Sequence, residues 1–329
     1  MKKILFVFCI LLGSMSLVFA NGQGESNDST WAKKVEIQVP ARAGGGSDVI
    51  ARTLGTEVAK ASGRTFTIVN DTDGNGVVAF EKTRTAKTDG STLLAYHTSM
   101  LIKMATNVYN HSLDDFTVIG VAHPLDQAPE VFVVGADSPY QSLDDFVKAA
   151  KAAPDTLLVG VETGGVSHII GGLFDNAAGI TLKFVEAGSD TEKLTSLVGK
   201  NIDACIVNVN QAKQYVQSNK VRALGVISRD SEGGKSEVLP DVPSFIQQGY
   251  NVDFCIFDLL LGPKDMNLDL VASIYNYYAN AATSDAVNAV LEPAGFAMEF
   301  YGQEKGLQVI EKQQKELNEI VKDLGLMKK

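Results

Sequence analysis

Three consecutive glycines, Gly44, Gly45 and Gly46, stand between the apolar run "VEIQVP" (35–40) and a helix-like stretch from Asp48 to about Ser62. Without side chains they contribute only backbone geometry and close approach. A helix that opens straight after a strand leaves its first N–H groups without intrahelical partners. Those groups sit at the positive end of the helix dipole, which makes the position an anion site. The phosphate-loop pattern G-x-x-x-x-G-K-[ST] is absent, and the dinucleotide pattern G-x-G-x-x-G fails because Ser47-Asp48-Val49 follow the glycines. Two readings stay open here. One is a tight turn with Ser47 as N-cap; the other is a carboxylate clamp in which the neighbouring Arg42 adds a forked donor.

A second glycine-rich entry, "VETGGVSHIIGGLF" (161–174), repeats the arrangement: Thr163, Gly164 and Gly165 precede Ser167-His168 and an apolar helix. Ser167 beside His168 invites a hydrolase reading. The pattern is not G-x-S-x-G, and neighbours in sequence are seldom placed as nucleophile and base. Two such entries read better as two jaws closing on one anion than as a catalytic centre. "DTDGNG" (71–76) resembles the start of a calcium loop, but Lys82 stands where the bidentate glutamate is needed. A glycine turn ahead of a helix is the expectation there. His97, His111, His123 and His168 show no paired ligand spacing, so neither metal nor cofactor is expected.

These segments need a scaffold. Short apolar strands alternate with helical stretches almost throughout, the pattern of an α/β fold with mostly parallel sheets. Strands are expected at 65–70, in "STLLAYH", at 116–122 and 130–135, and in "TLLVGVE", "TLKFVEA", "IDACIVNV", "VRALGVIS" and "VDFCIFDLLLG". "SLDDFVKAAKAA" and "GLQVIEKQQKELNEIVKDLG" read as helices, the latter a closing amphipathic one. The opening "MKKILFVFCILLGSMSLVFA" reads as a secretory signal cleaved after Ala20, and residues 21–33 as a flexible tether with Trp31, a packing residue, at its edge. Loss of Lys2 and Lys3 takes the formal charge from −10 to −12, leaving an acidic chain poorly suited to nucleic acid. Cys205 and Cys255 lie in apolar runs and are expected as free thiols.

Taken in order, these motifs resemble the extracytoplasmic solute receptors of tripartite tricarboxylate transporters, the Bug receptors. The resemblance runs over "VEIQVPARAGGGSD", "VNDTDGNGVVAFEKTRTAKTDGSTLLAYHTSM", "SLDDFVKAAKAAPDTLLVGVETGGVSHIIGGLF", "LTSLVGKNIDACIVN" and "LPDVPSFIQQGY" to the closing helix. It implies a two-domain periplasmic-binding-protein fold of the second type, with a small carboxylate held in the interdomain cleft. By that resemblance the first loop contributes Arg42, Ala43, Gly44, Gly45, Gly46, Ser47 and Asp48, and the second Thr163, Gly164, Gly165, Ser167 and His168. Thr98, Ser99, Gly188 and Asn208 match further positions facing the cleft. Here "VEAG" replaces a common Pro-Tyr-Lys-Gly, so Glu186 and Ala187 alter one wall, and no tryptophan stands near Phe257. Domain one is expected over 34–123 and 226–329, and domain two over 124–225. The expected partners are a small carboxylate and the membrane permease subunits, with the receptor itself periplasmic, monomeric and not an enzyme.

Overall fold

The computed structural model describes residues 31–124, 129–228 and 232–326. The signal peptide and the tether up to residue 30 lie outside the described residues. The first run comprises β1 (Lys34–Val39), α1 (Gly46–Ser62), β2 (Thr65–Asn70), α2 (Val77–Arg84), β3 (Thr92–His97), α3 (Ser99–Ala105) and β4 (Phe116–Pro124). The second comprises β5 (Glu130–Gly135), α4 (Leu143–Ala152), β6 (Leu158–Val161), α5 (Val166–Ala178), β7 (Lys183–Glu186), α6 (Asp190–Val198), β8 (Ala204–Asn208), α7 (Val209–Gln217) and β9 (Val221–Ile227). The chain then returns through β10 (Asp258–Pro263), α8 (Leu268–Ala282), α9 (Asp285–Leu291), β11 (Met298–Tyr301) and α10 (Gln303–Asp323).

Two sheets form, with strand orders β11-β4-β10-β3-β1-β2 and β7-β6-β8-β5-β9. Read backwards, the second matches the β4-β10-β3-β1-β2 part of the first. The match extends to register. Asp258, first residue of β10, lies opposite His97 and Ala122; Glu130, first residue of β5, lies opposite Asn208 and Ile227. Both strands run antiparallel to their neighbours, and each register shifts after its third residue, at Leu260/Leu261 and at Phe132/Val133. The parallel pattern expected from alternating elements is therefore broken in each lobe by the strand that enters from the other lobe, and a second time in the first sheet by β11 at its edge, antiparallel to β4.

That return path differs from the sequence expectation. The chain does not leave the second sheet near residue 226: Val226 bridges Ser244, and Ser228 bridges Asp253. Phe245 anchors this segment, fully buried with ring centroids 4.8 Å from Phe174 and 6.1 Å from Phe132, both edge-on. Burying such a ring is worth about 1.5–3 kcal/mol, enough to hold a loop of low strand content against the sheet.

The closing helix α10 packs on α3, β4 and α5, so it touches both lobes. Ile310, Leu317 and Val321 are its buried stripe, and Leu324 lies against Gly172 of α5. Trp31 is buried, donating its indole N–H to the Gly90 carbonyl at 3.1 Å beneath the Arg64 guanidinium. Among the described residues no helix is long and apolar enough to cross a membrane.

Candidate ligand cleft

The two glycine entries are built alike. Gly44 (φ +82°) and Gly164 (φ +74°) take the left-handed backbone that disfavours any side chain. Each donates its N–H to a side chain four residues on: Gly44 to Asp48 Oδ2 at 2.8 Å, and Gly164 to His168 Nδ1 at 3.1 Å. The next glycine closes a turn, Gly45 N–H to the Arg42 carbonyl at 3.1 Å and Gly165 N–H to the Glu162 carbonyl at 2.8 Å. Gly45 and Gly165 are then the N-caps of α1 and α5, so Ser47 lies inside its helix rather than capping it.

The amides of Gly44, Gly45, Gly164 and Gly165 are thus spent within the loops. The donors left open are the next three, Gly46–Asp48 in one lobe and Val166–His168 in the other, whose N–H groups have no protein acceptor among the described residues. Each set lies at the positive end of a helix of thirteen residues or more. Gly46 has a separate reason to be glycine, since a Cβ would come within 3.0 Å of the Phe296 ring.

Asp48 holds the first loop together. Arg52 Nη2 donates to its Oδ1 at 2.7 Å, Asn70 Nδ2 to the same oxygen at 2.9 Å, and Gly44 N–H and Arg52 Nε to Oδ2. Burial opposes the charge, but Arg52 and the other donors hold the carboxyl down at about 2. Its oxygens face the loop and not the cleft. In the second loop His168 plays that part. Burial holds its imidazole below the ordinary value against the pull of Glu186, and accepting at Nδ1 places the ring proton on Nε2.

Several expected site residues brace the walls instead. Thr98 is fully buried; its hydroxyl accepts from Phe257 N–H at 3.0 Å and donates to the Phe257 carbonyl at 3.2 Å. Ser167 Oγ accepts the Glu162 N–H at 2.9 Å, and the ring nitrogen of His168 nearest the loop is already taken by Gly164, so no nucleophile–base pair forms. Ser47 donates to Asp258 Oδ1 at 2.8 Å. Ser99 donates its N–H to His97 Nδ1 at 3.2 Å; burial pushes that imidazole down to about 3.

In the second lobe Thr163 N–H and Gly188 N–H donate to the two oxygens of Glu186 at 2.7 and 2.9 Å. Asn208 caps α7 through its side chain, and its own N–H donates to Asp190 Oδ2 at 2.9 Å. Ala43 and Arg42 are exposed at the rim of the first loop. In the other lobe the Glu192 carboxyl is held below its ordinary value by hydrogen bonds from Ser189, with a smaller part from the charge of Arg42. Across the same rim, the Asn210 amide of α7 fills the space beside Gly295.

Sequence reasoning missed three ionisable groups, two at the first residue of a strand that follows a lobe crossing and one in α3. Asp258 carries one hydrogen bond, from Ser47, and burial pushes its carboxyl up to about 6. Glu130, its counterpart in the other lobe, is raised well above the ordinary range by burial and by Asp190. Lys103 is 3 % exposed. All three lie inside apolar stretches whose strand or helix character hides them; only the position of Asp258 and Glu130 at the start of a strand after a lobe crossing marked them. No disulfide joins the two thiols: Cys205 is buried and Cys255 half-buried, 3.4 Å from His123 Nε2. Asp71 is neutralised by Lys82 at 2.6 Å in the turn ahead of α2.

Residues 50–326 match the family described as the Tripartite tricarboxylate transporter family receptor. A protein of Agrobacterium vitis, the UPF0065 protein in the TAR-I ttuE-ttuC' intergenic region, is 29% identical over 246 residues, covering 73% of this chain and 69% of its own. Among solved structures, MatC of Rhodopseudomonas palustris with bound malate aligns with a TM-score of 0.72 at 22% identity, over 88% of this chain and 98% of that one. A second R. palustris protein, solved with adipate, aligns with a TM-score of 0.74 at 21% identity, over 89% and 97%. The fold is that of the periplasmic solute-binding proteins, two α/β lobes with a cleft between them.

Proposed function

This chain belongs to the tripartite tricarboxylate transporter receptor family, and we propose that it closes its two lobes on a small carboxylate outside the cytoplasm and delivers it to the transporter's membrane permease. It is a solute-binding receptor and not an enzyme. The observation that carries the carboxylate reading is the matched pair of helix starts, Gly46–Asp48 and Val166–His168, each with three open N–H donors. A hydrogen bond to a charged group is worth about 1.5–3 kcal/mol, and micromolar binding needs about 8 kcal/mol net. Four or five such donors reach that figure after the ordering cost of closure, without help from the acidic whole-protein field.

The malate and adipate bound by the two Rhodopseudomonas proteins set the size of ligand to try first. Export through the signal peptide places the receptor in the periplasm, and hinge closure brings the glycine loops together. The test is a thermal-shift screen of residues 21–329, unfolded and refolded to strip retained ligand. Carboxylates are set against sugars, neutral amino compounds and nucleotides. A ligand at 100 times its Kd adds about 2.7 kcal/mol. A shift confined to carboxylates is expected; a flat carboxylate panel with a shift from a control contradicts the reading.

A further inference from the structure

The two cysteines stand in different surroundings. Cys205, in β8, is fully buried, and burial pushes its thiol up to about 12, so it is inert at neutral pH. Cys255 is half-buried, and its Sγ lies 3.4 Å from His123 Nε2. The other ring nitrogen, Nδ1, lies 3.1 Å from the Pro124 carbonyl. A carbonyl only accepts, so Nδ1 carries the ring proton and Nε2 turns its lone pair to the thiol. Tyr301 stacks on the imidazole, with centroids 5.1 Å apart and planes at 22°, which holds the ring in that plane. Thiol, base and orienting carbonyl thus stand in the order that makes a cysteine nucleophilic. Of the charged groups on the elements packed here, Glu299 lies opposite His123 in the β4–β11 register and pairs with Lys305 at 3.5 Å, and Lys305 sits over the Tyr301 ring.

The pair also joins the two crossings between the lobes. His123 and Pro124 end β4, and the chain enters the second sheet at Glu130. On the return, Asp253 bridges Ser228 just after β9, and Phe254 N–H donates to the Ser228 carbonyl at 2.7 Å. Phe257 N–H is already held by Thr98 of the first lobe at 3.0 Å. Cys255 therefore lies within a crossing of a few residues, and its partner His123 stands at the mouth of the other. Hinge closure is absorbed by such residues, so a group attached to Sγ sits between the two segments that move.

We propose that Cys255 is a modification site: His123 activates its thiol toward low-molecular-weight disulfides, and the mixed disulfide so formed hinders lobe closure. The step is thiol–disulfide exchange. Cys255 Sγ, its proton taken by His123 Nε2, attacks one sulfur of the disulfide; a new S–S bond forms, the old one breaks, and the departing thiolate takes the proton from His123. Cys205, buried in the other lobe, offers no resolving thiol, so the adduct persists until an external thiol removes it. Outside the cytoplasm, where the proposed function places the receptor, such disulfides persist.

The test follows iodoacetamide labelling of residues 21–329 by mass spectrometry, in wild type, His123→Ala and Cys255→Ser, from about pH 6 to about pH 10. At pH 7 the wild type is labelled at least about tenfold faster than His123→Ala, whose rate climbs with pH like that of an ordinary thiol near 8.5. At about pH 10, where both thiols are ionised, the two rates agree within about threefold; that agreement separates activation from a change of access. Cys255→Ser takes no label. Oxidised glutathione then forms a mixed disulfide with wild type and not with Cys255→Ser, and the treated wild type binds malate or adipate at least about fivefold more weakly by calorimetric titration. Reduction restores the affinity. Equal labelling rates in wild type and His123→Ala at pH 7, or label on Cys205 in place of Cys255, overturn the activated thiol. An affinity unchanged by complete thiolation overturns the hindered closure. That last arm rests on the carboxylate reading: if neither acid binds the untreated receptor, that reading fails, and the labelling rates alone decide the thiol.

Discussion

Ser47 and Asp258, 211 residues apart in the chain, are joined by a hydrogen bond of 2.8 Å from the serine hydroxyl to the carboxyl. The bond ties the first turn of α1 to the first residue of β10, so the anion-facing loop and the strand that returns from the other lobe are fixed to each other. It also leaves the carboxyl with one donor in a buried setting, which is why its pKa rises to about 6 from the usual 3.8.

That rise makes wild-type stability fall with pH over a defined window. Below about pH 4 Asp258 is protonated in both folded and unfolded chains and has no linkage effect. Between about pH 4 and 6 the unfolded chain releases the proton while the folded one retains it, and the folded state loses roughly 2–3 kcal/mol from this group by pH 7. Asp258→Asn, which still accepts from Ser47, escapes the loss. Urea unfolding should find the variant more stable by about 2 kcal/mol at pH 8 and equal to wild type near pH 4.

Asp48 acts with the opposite sign. Its folded value of about 2 lies below the usual 3.8, so its contribution is complete above pH 4 and disappears as the pH falls through about 2. Asp48→Asn should cost about 2 kcal/mol at pH 7 and nearly nothing at pH 2. Ligand affinity should fall too, because the amide keeps only one of the two acceptor oxygens, so either the Gly44 N–H or the Asn70 amide loses the partner that shapes the loop. Unfolding at the two pH values and one titration check both effects.

Gly44 and Gly45 are neighbours with different requirements. Gly44 is left-handed at φ +82°, whereas Gly45 has φ −75° and a Cβ there would come to 3.2 Å from the Arg42 carbonyl. Gly44→Ala should cost about 1–2 kcal/mol from backbone strain and weaken ligand binding. Gly45→Ala should cost less than half as much. Paired melting curves decide it; equal costs contradict the division of roles.

Arg42 and Glu192 are exposed charges of opposite sign, one in each lobe. Exposed pairs contribute little to affinity, so Arg42→Ala and Glu192→Gln should each change ligand affinity less than about fivefold. The effect belongs to lobe closure. Ligand association should slow in either variant, the slowing should shrink at high salt, and the double variant should resemble the singles. Stopped-flow measurements at two ionic strengths test this.

The glycine entries were legible because glycine runs at a strand–helix junction have few other uses, and their spacing to Asp48 and His168 carried the loop geometry. Local periodicity gave most strands and the closing helix. What depends on distant partners was not legible. Phe245 looks like an ordinary loop aromatic until Phe132 and Phe174 are seen around it, so the second lobe crossing was placed too early. Asp258 in "CIFDLLLG" lies in an apolar run, and its bond to Ser47, 211 residues away, is something that local pattern does not record.

The central claim is that one carboxylate ligand engages both helix starts at once. Amide chemical shifts followed during titration with the tightest-binding carboxylate test it most directly. The account predicts that the N–H resonances of Gly46 or Ser47 and of Val166 or Ser167 move downfield together and saturate at the same Kd. Binding that shifts the amides of one loop only, or of neither, would contradict it.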